Sequence, residues 1–188
     1  MAQTDISLCS KALIKLGASS ITSFNENTAE AQVARQLYVP IRDGLLSSYP
    51  WRFATAQTSL ARLLEKPTAD FAYAYQLPND FLRVLSAGCG RGQGLNYRIY
   101  QQTLQTNAPN VILTYLFLPL EENFPAFFDE LLIAKLAAEF CLPLTESTSR
   151  TEFLSKQANN LFAQAKLIDA QQSLPQSIID FPLIEVRL

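Results

Sequence analysis

The sequence predicts a mainly helical α+β protein: a bundle of about four helices, one small antiparallel β-sheet inserted at about residues 71–118, and an extended C-terminal arm. Three observations carry this reading. Apolar residues recur at helical spacing before residue 50 and after residue 125. Between Phe71 and Leu118 they alternate with a period of two, as on a half-buried strand. Beyond Gln172 the chain stays apolar, yet Pro175 and Pro182 interrupt it too often for a helix.

The first helix is expected over residues 4–16. Thr4 can cap it, Ile6, Cys9, Leu13 and Leu16 share a face, and Gly17 can take the left-handed conformation that ends a helix. The polar run from Ala18 to Glu26 favours local side-chain to backbone bonds over helix. A long helix then spans residues 27–50, opened by an Asn27/Glu30 capping box, with Ala34, Leu37, Tyr38, Ile41 and Leu45 on one stripe. Pro40 lies inside that pattern, where proline removes a hydrogen bond and costs roughly 3 kcal/mol, so a kink is expected there. Pro50 stops the helix, and Trp51 with Phe53 supplies an aromatic anchor where the helices hand over to strands. Pro40, Trp51 and Phe53 are thus the expected structural joint.

From Ala54 to Leu64 the pattern fits a short helix or a strand equally well. The runs around Tyr73 and Tyr75, Phe81–Ala87, Leu95–Tyr100 and Val111–Leu118 read as three or four strands, with a turn at Pro78-Asn79-Asp80. Asp80 and Arg83 could pair beside that turn. Gly88, Gly90, Gly92 and Gly94 match neither phosphate-loop nor dinucleotide spacing and read as a hairpin tip, with Arg91 and Arg98 adding positive charge nearby. A nearly all-round apolar helix over residues 125–142 follows, starting at Pro125 and ending at Pro143. It is either the centre of the bundle or a seam between subunits. An Asp129/Glu130 pair interrupts it, and Lys135 and Glu139 stand four apart as an ion pair. The last helix, residues 149–171, opens with a Ser149/Glu152 capping box and carries Leu154, Ala158, Leu161, Ala165 and Ile168 on its buried stripe. Residues 1–172 are read as a single domain and 173–188 as an arm that docks through Ile178, Ile179, Phe181, Leu183, Ile184, Val186 and Leu188, either along its own body or against a neighbouring subunit or partner, as by strand addition.

Composition narrows the function classes. Charged residues make up 17% of the 188, against roughly 25% in an average soluble protein, and the net charge is −2. A surface so lightly charged suits buried interfaces and self-association, and it lacks the basic excess that grips a nucleic-acid backbone. Histidine is absent, which removes the usual serine and cysteine triads and disfavours zinc. Cys9, Cys89 and Cys141 are too far apart for paired metal ligands and read as buried thiols. No secretory leader or membrane span is read in the sequence. Close carboxylates occur at Glu26/Glu30, Glu121/Glu122 and Asp129/Glu130, each read as a loop or helix-start charge rather than an acid/base pair. No catalytic residue, metal or cofactor is expected.

The order of segments ALIKLG, RDGLLSSYPWRFA, YQLPNDFLRVL, VILTYLFLP and AKLAAEF resembles the phage head-tail adaptor, or connector, family. That family includes tail tubular protein A of short-tailed phages and the adaptor of gene transfer agents. The likeness runs through roughly residues 6–170 and is most specific at YPWRFA and YQLPNDFLRV, a pattern of organisation rather than a catalytic signature. It does not extend to the glycine tip or the arm. The resemblance implies a structural virion protein that forms a ring, dodecameric in well-understood members. The ring would sit below the portal in the neck of the virion, join capsid to tail or nozzle protein, and let DNA pass during ejection without sequence-specific contact. Assembly in the host cytoplasm is implied as well. Other neck or tail-completion proteins are the nearest alternative; a small helical DNA-binding or regulatory module would need a basic face, for which Lys11, Lys15, Arg35 and Arg42 are thinly spread, and the missing histidine argues against a hydrolase of unknown type.

Overall fold

The computed structural model describes residues 3–88 and 94–172. It has the mainly helical α+β architecture, with helices α1 (Asp5–Lys15), α2 (Ala29–Ser48), α3 (Ala126–Thr145) and α4 (Thr148–Ala170). Strands β1 (Thr55–Ser59), β2 (Tyr73–Gln76), β3 (Phe81–Gly88), β4 (Tyr97–Tyr100), β5 (Thr103–Thr106) and β6 (Ile112–Phe117) lie between α2 and α3. Short 3₁₀ turns, Arg52–Ala54 and Glu121–Asn123, lead into and out of this β region.

The strands form two antiparallel three-stranded sheets, ordered β1-β6-β3 and β2-β5-β4, where the sequence suggested one. The β region also begins at Thr55 rather than near residue 71. The ambiguous stretch after Ala54 resolves as a strand because it pairs with β6, Thr55 opposite Leu116 through Ser59 opposite Ile112, a long-range partner no local pattern reveals. Strand β5 carries no β-branched run, and the β4–β5 turn uses Gln101 at φ 53 instead of the usual glycine or asparagine. Thr103 Oγ1 donates to the Tyr100 carbonyl at 2.8 Å to close it.

Layering follows from the pleat of the first sheet. Leu113 and Tyr115 of β6 join Ala87, Leu104 and Tyr75 in a small core between the sheets, while Leu116 joins the helical core. Two register shifts in β3 bring Leu82 and Leu85, three residues apart, to the helical side together. The order is therefore bundle, first sheet, second sheet.

Helix α3 is the centre of the bundle. Leu131, Leu132, Leu136, Ala137, Phe140 and Cys141 are buried, and α1, α2 and α4 all pack on it. Pro143 does not end it as expected, and the helix runs on to Thr145. Proline's missing N–H falls in the last turn, where Thr145 Oγ1 donates to the Cys141 carbonyl at 2.7 Å and the Glu146 N–H to that of Leu142 at 3.0 Å. Glu146, at φ 54, then supplies the left-handed stop. Pro40 is likewise accommodated within α2. Both Pro40 and Gln36, the residue whose carbonyl loses its donor, are exposed, so water can satisfy that carbonyl.

Capping follows the sequence at α1, where Thr4 accepts from Ser7 N at 3.2 Å and Gly17 takes φ +72. It is displaced at two other helices. Thr28, not Asn27, caps α2 by accepting from Ala31 N at 3.2 Å, and Ser147, not Ser149, caps α4 by accepting from Arg150 N at 3.4 Å. Thr28→Ala is accordingly expected to lower the urea midpoint by an amount worth about 1 kcal/mol, while Asn27→Ala leaves it unchanged. Equal effects from the two would show that Asn27 shares the cap.

Candidate functional site

Of the three residues singled out as a joint, Trp51 and Phe53 come together in one aromatic cluster and Pro40 does not. The Trp51 side chain is fully buried, its indole N–H donates to the Leu45 carbonyl at 3.1 Å, and five aromatic rings surround it. Tyr49 stands at 4.9 Å, Phe128 at 5.3 Å, Phe162 at 5.9 Å, Phe53 at 6.0 Å and Phe127 at 6.4 Å between centroids. Several are edge-on, the arrangement that ring quadrupoles favour. The cluster draws on the exit of α2, the start of α3 and the middle of α4, so it locks three helices at the point where the sheet begins. Pro40 lies about three turns earlier on α2, on the wall of a groove rather than in this cluster.

Two polar ties reinforce the joint, and sequence reasoning missed both. Asp169, fully buried near the end of α4, accepts the Arg52 backbone N–H with both carboxylate oxygens at 3.1 Å. Burial raises its pKa, and the Arg52 N–H opposes the shift only in part. Ile168, expected on the buried stripe, is instead 44% exposed; α4 turns Asp169 inward in its place. An aspartate near a helix C-terminus gives no sign of burial, and only its partner 117 positions away explains it. The second tie joins Glu121 to Arg42 Nη1 at 2.6 Å and to the Tyr38 hydroxyl at 3.0 Å. Burial alone would raise the Glu121 carboxyl, but its own backbone N–H, Arg42 and Tyr38 together hold it below the ordinary range. This network fixes the return from β6 against α2.

Asp80 and Arg83 do not pair. Asp80 Oδ1 accepts the Tyr115 hydroxyl at 3.2 Å, and Arg83 Nη1 donates to the Ser47 carbonyl at 2.8 Å, at the negative end of α2. Lys135 and Glu139 do pair, at 2.8 Å on a half-exposed surface.

Of the glycine tip, Gly88 ends β3 and bridges antiparallel to Gly94, while Leu95 N donates to the Ala87 carbonyl at 3.0 Å. Gly90, Arg91 and Gly92 lie outside the described residues, as do Ile178, Ile179, Phe181, Leu183, Ile184, Val186 and Leu188. Arg98 belongs to the second sheet, where it pairs with Asp70 at 3.1 Å and lies 5.5 Å from the Phe71 ring centre. Its charge is directed there.

Three of the clefts lined by the described residues bear on function. A groove of about 360 Å³ runs along α3 between α2 and α4, lined by Pro40, Ile41, Gly44, Leu45, Ser48, Leu131, Lys135, Ala158, Asn159 and Phe162. A second hollow, of mixed polar and apolar lining, lies beside Tyr49, Arg52, Gln57, Leu85 and Thr114. The third, between α1 and α3, holds Lys11, Lys15, Asp129 and Glu130. Asp129 is 8% exposed, and its Oδ1 has no hydrogen-bond partner. Burial pushes its pKa up to about 6, with Lys11 opposing. Glu26 is held below the usual carboxylate range by the hydroxyl and N–H of Thr22 and the N–H of Ser23, so it staples its own loop.

Among the described residues no three histidine, cysteine, aspartate or glutamate side chains gather as a metal site, and no helix is long and apolar enough to cross a membrane. Cys9 and Cys141 are buried and unbridged, and burial, aided by Asp5, pushes the Cys9 thiol up to about 12. Cys89 lies outside the described residues. What this arrangement offers chemically is apolar contact surface and a rigid joint. No family model matches the chain, and a search of the curated proteins returns no match.

Proposed function

We propose that the chain is a structural connector of the phage head-tail adaptor type. Its subunits would assemble into a ring, dodecameric by analogy with the family it resembles, below the portal in the virion neck. The ring would join capsid to tail or nozzle protein around a DNA channel, without catalysis or sequence-specific DNA binding.

The outer face of α4 carries this reading. Phe153, Gln157, Asn160, Gln164 and Leu167 form one stripe, all exposed and none charged, with Phe153 and Leu167 at 67% and 66% exposure two heptads apart. The central apolar helix α3 is enclosed by its own bundle, so a seam between subunits falls naturally to this uncharged outer surface. Large exposed apolar side chains on a neutral stripe suit a protein–protein contact better than a hydrated face. Arg42, one of the four cations a nucleic-acid reading would use, is tied to Asp43 and Glu121 instead. The glycine tip and the arm remain candidate contacts for portal or tail proteins.

Native mass spectrometry and electron microscopy of the purified protein test this, alone and with a portal ring. Rings with a central hole, or portal-dependent assembly, are expected, and Phe153→Glu with Leu167→Glu should abolish them while leaving the helical circular dichroism intact. Removing residues 173–188 should weaken assembly but spare the fold. A strict monomer under both conditions would sink the proposal.

A further inference from the structure

We propose that the groove between α2 and α4 is the seat of the chain's own C-terminal segment, centred on Ile179, Phe181 and Leu183. The proposal concerns the isolated subunit and does not rest on ring formation.

The groove is apolar where it matters. Leu131 forms its floor, Ile41 and Phe162 its walls, and Gly44 leaves it open because nothing lies within 4 Å of where a Cβ would stand. At about 360 Å³ it falls within the range of sites that enclose a group of a few side chains. Helices α3 and α4 are joined by the short turn at Glu146–Ser147, so the Leu131 and Phe162 end of the groove is the end closer to the C-terminus of α4.

Length and composition then select the occupant. From Gln172 back to Phe162 is roughly 15 Å along the helix at 1.5 Å per residue. The five residues Ser173–Ser177, extended, span roughly 17 Å. Ile178 therefore reaches the mouth of the groove with no slack to spare, and the residues that follow can run along it. In an extended chain Ile179, Phe181 and Leu183 share one face, and Pro175 and Pro182 favour that conformation over helix. A segment tethered this closely competes at millimolar effective concentration, well above that of a second copy in dilute solution.

The test is hydrogen–deuterium exchange of the full chain, with peptides covering residues 178–184. Slow exchange is expected in the wild type and at least about tenfold faster exchange in Gly44→Leu, which fills the groove, and in Phe181→Asp, which alters the segment instead. Leucine is a better helix former than glycine, so Gly44→Leu should keep its helical signal and melting temperature. With p-benzoylphenylalanine in place of Phe181, photolysis should link to peptides containing Ile41 or Phe162 of the same molecule. Fast exchange in the wild type, slow exchange indifferent to Gly44→Leu, or crosslinks elsewhere would each overturn the proposal. In a mixture of ¹⁴N and ¹⁵N protein, hybrid-mass crosslinks would overturn it in favour of a second copy.

Discussion

Trp51→Ala is expected to destabilise the fold by roughly 3–5 kcal/mol, the cost of deleting a large aromatic from a core that cannot collapse around the gap. The indole is fully buried, and its removal strips contacts from five rings at once, Phe127 and Phe128 on α3, Phe162 on α4, and Tyr49 and Phe53 in the segment that follows α2. It also leaves the Leu45 carbonyl without its indole donor. Since a domain is stable by only about 5–15 kcal/mol in total, urea unfolding should show a large drop in midpoint. A midpoint within experimental error of wild type would mean that the joint is held elsewhere.

Asp129→Asn is expected to act in the opposite direction. Asp129 binds its proton more tightly in the fold than in the unfolded chain, its pKa being pushed up to about 6. Its contribution to stability is therefore complete below the unfolded value of about 4 and is lost as pH rises through about 6, at a cost of up to roughly 3 kcal/mol. Asp169, raised by burial as well, adds in the same direction. Glu121 and Glu26 are lowered, so their contributions are present above the ordinary carboxylate range and lost below it. Between pH 4.5 and 7 the raised groups dominate, and the wild-type urea midpoint should fall. The amide that replaces the carboxylate carries no charge to bury, so the variant should be flatter over that range and more stable than wild type at pH 7 by about 1–3 kcal/mol. A variant less stable at pH 7 would show that the carboxylate is satisfied by a partner.

The helices were legible in the sequence because each is marked by its own residues. Thr4, Gly17, the α2 stripe and the apolar run of α3 are local signals, and the structure follows them. Where two cap-forming residues lie close together, as at Asn27 and Thr28 or Ser147 and Ser149, periodicity cannot decide between them, and the boundary shifts by one or two positions. Strand β1 and the split into two sheets were not legible, since both depend on pairings with residues far along the chain. The aromatic joint could be anticipated from the single Trp51 beside Phe53, although not which helices would meet it. Asp169 and Asp129 went unread for one shared reason. An acidic residue inside a helix reads as a solvated charge until its neighbours in space are known.

The pairing of Thr55 with Leu116 means that the chain leaves the bundle and returns to it side by side. Of the residues between them, β3 stays with this stem, paired with β6 and packed on the bundle through Leu82 and Leu85, whereas the second sheet stands outside it beside a small core of its own. Because closing a longer loop costs only about 0.6 kcal/mol per doubling of its length, material can be added or removed beyond that stem with little thermodynamic penalty to the helices. The bundle can thus stay constant while the outlying sheet is exchanged for one of another size or chemistry, as a tool handle accepts different heads.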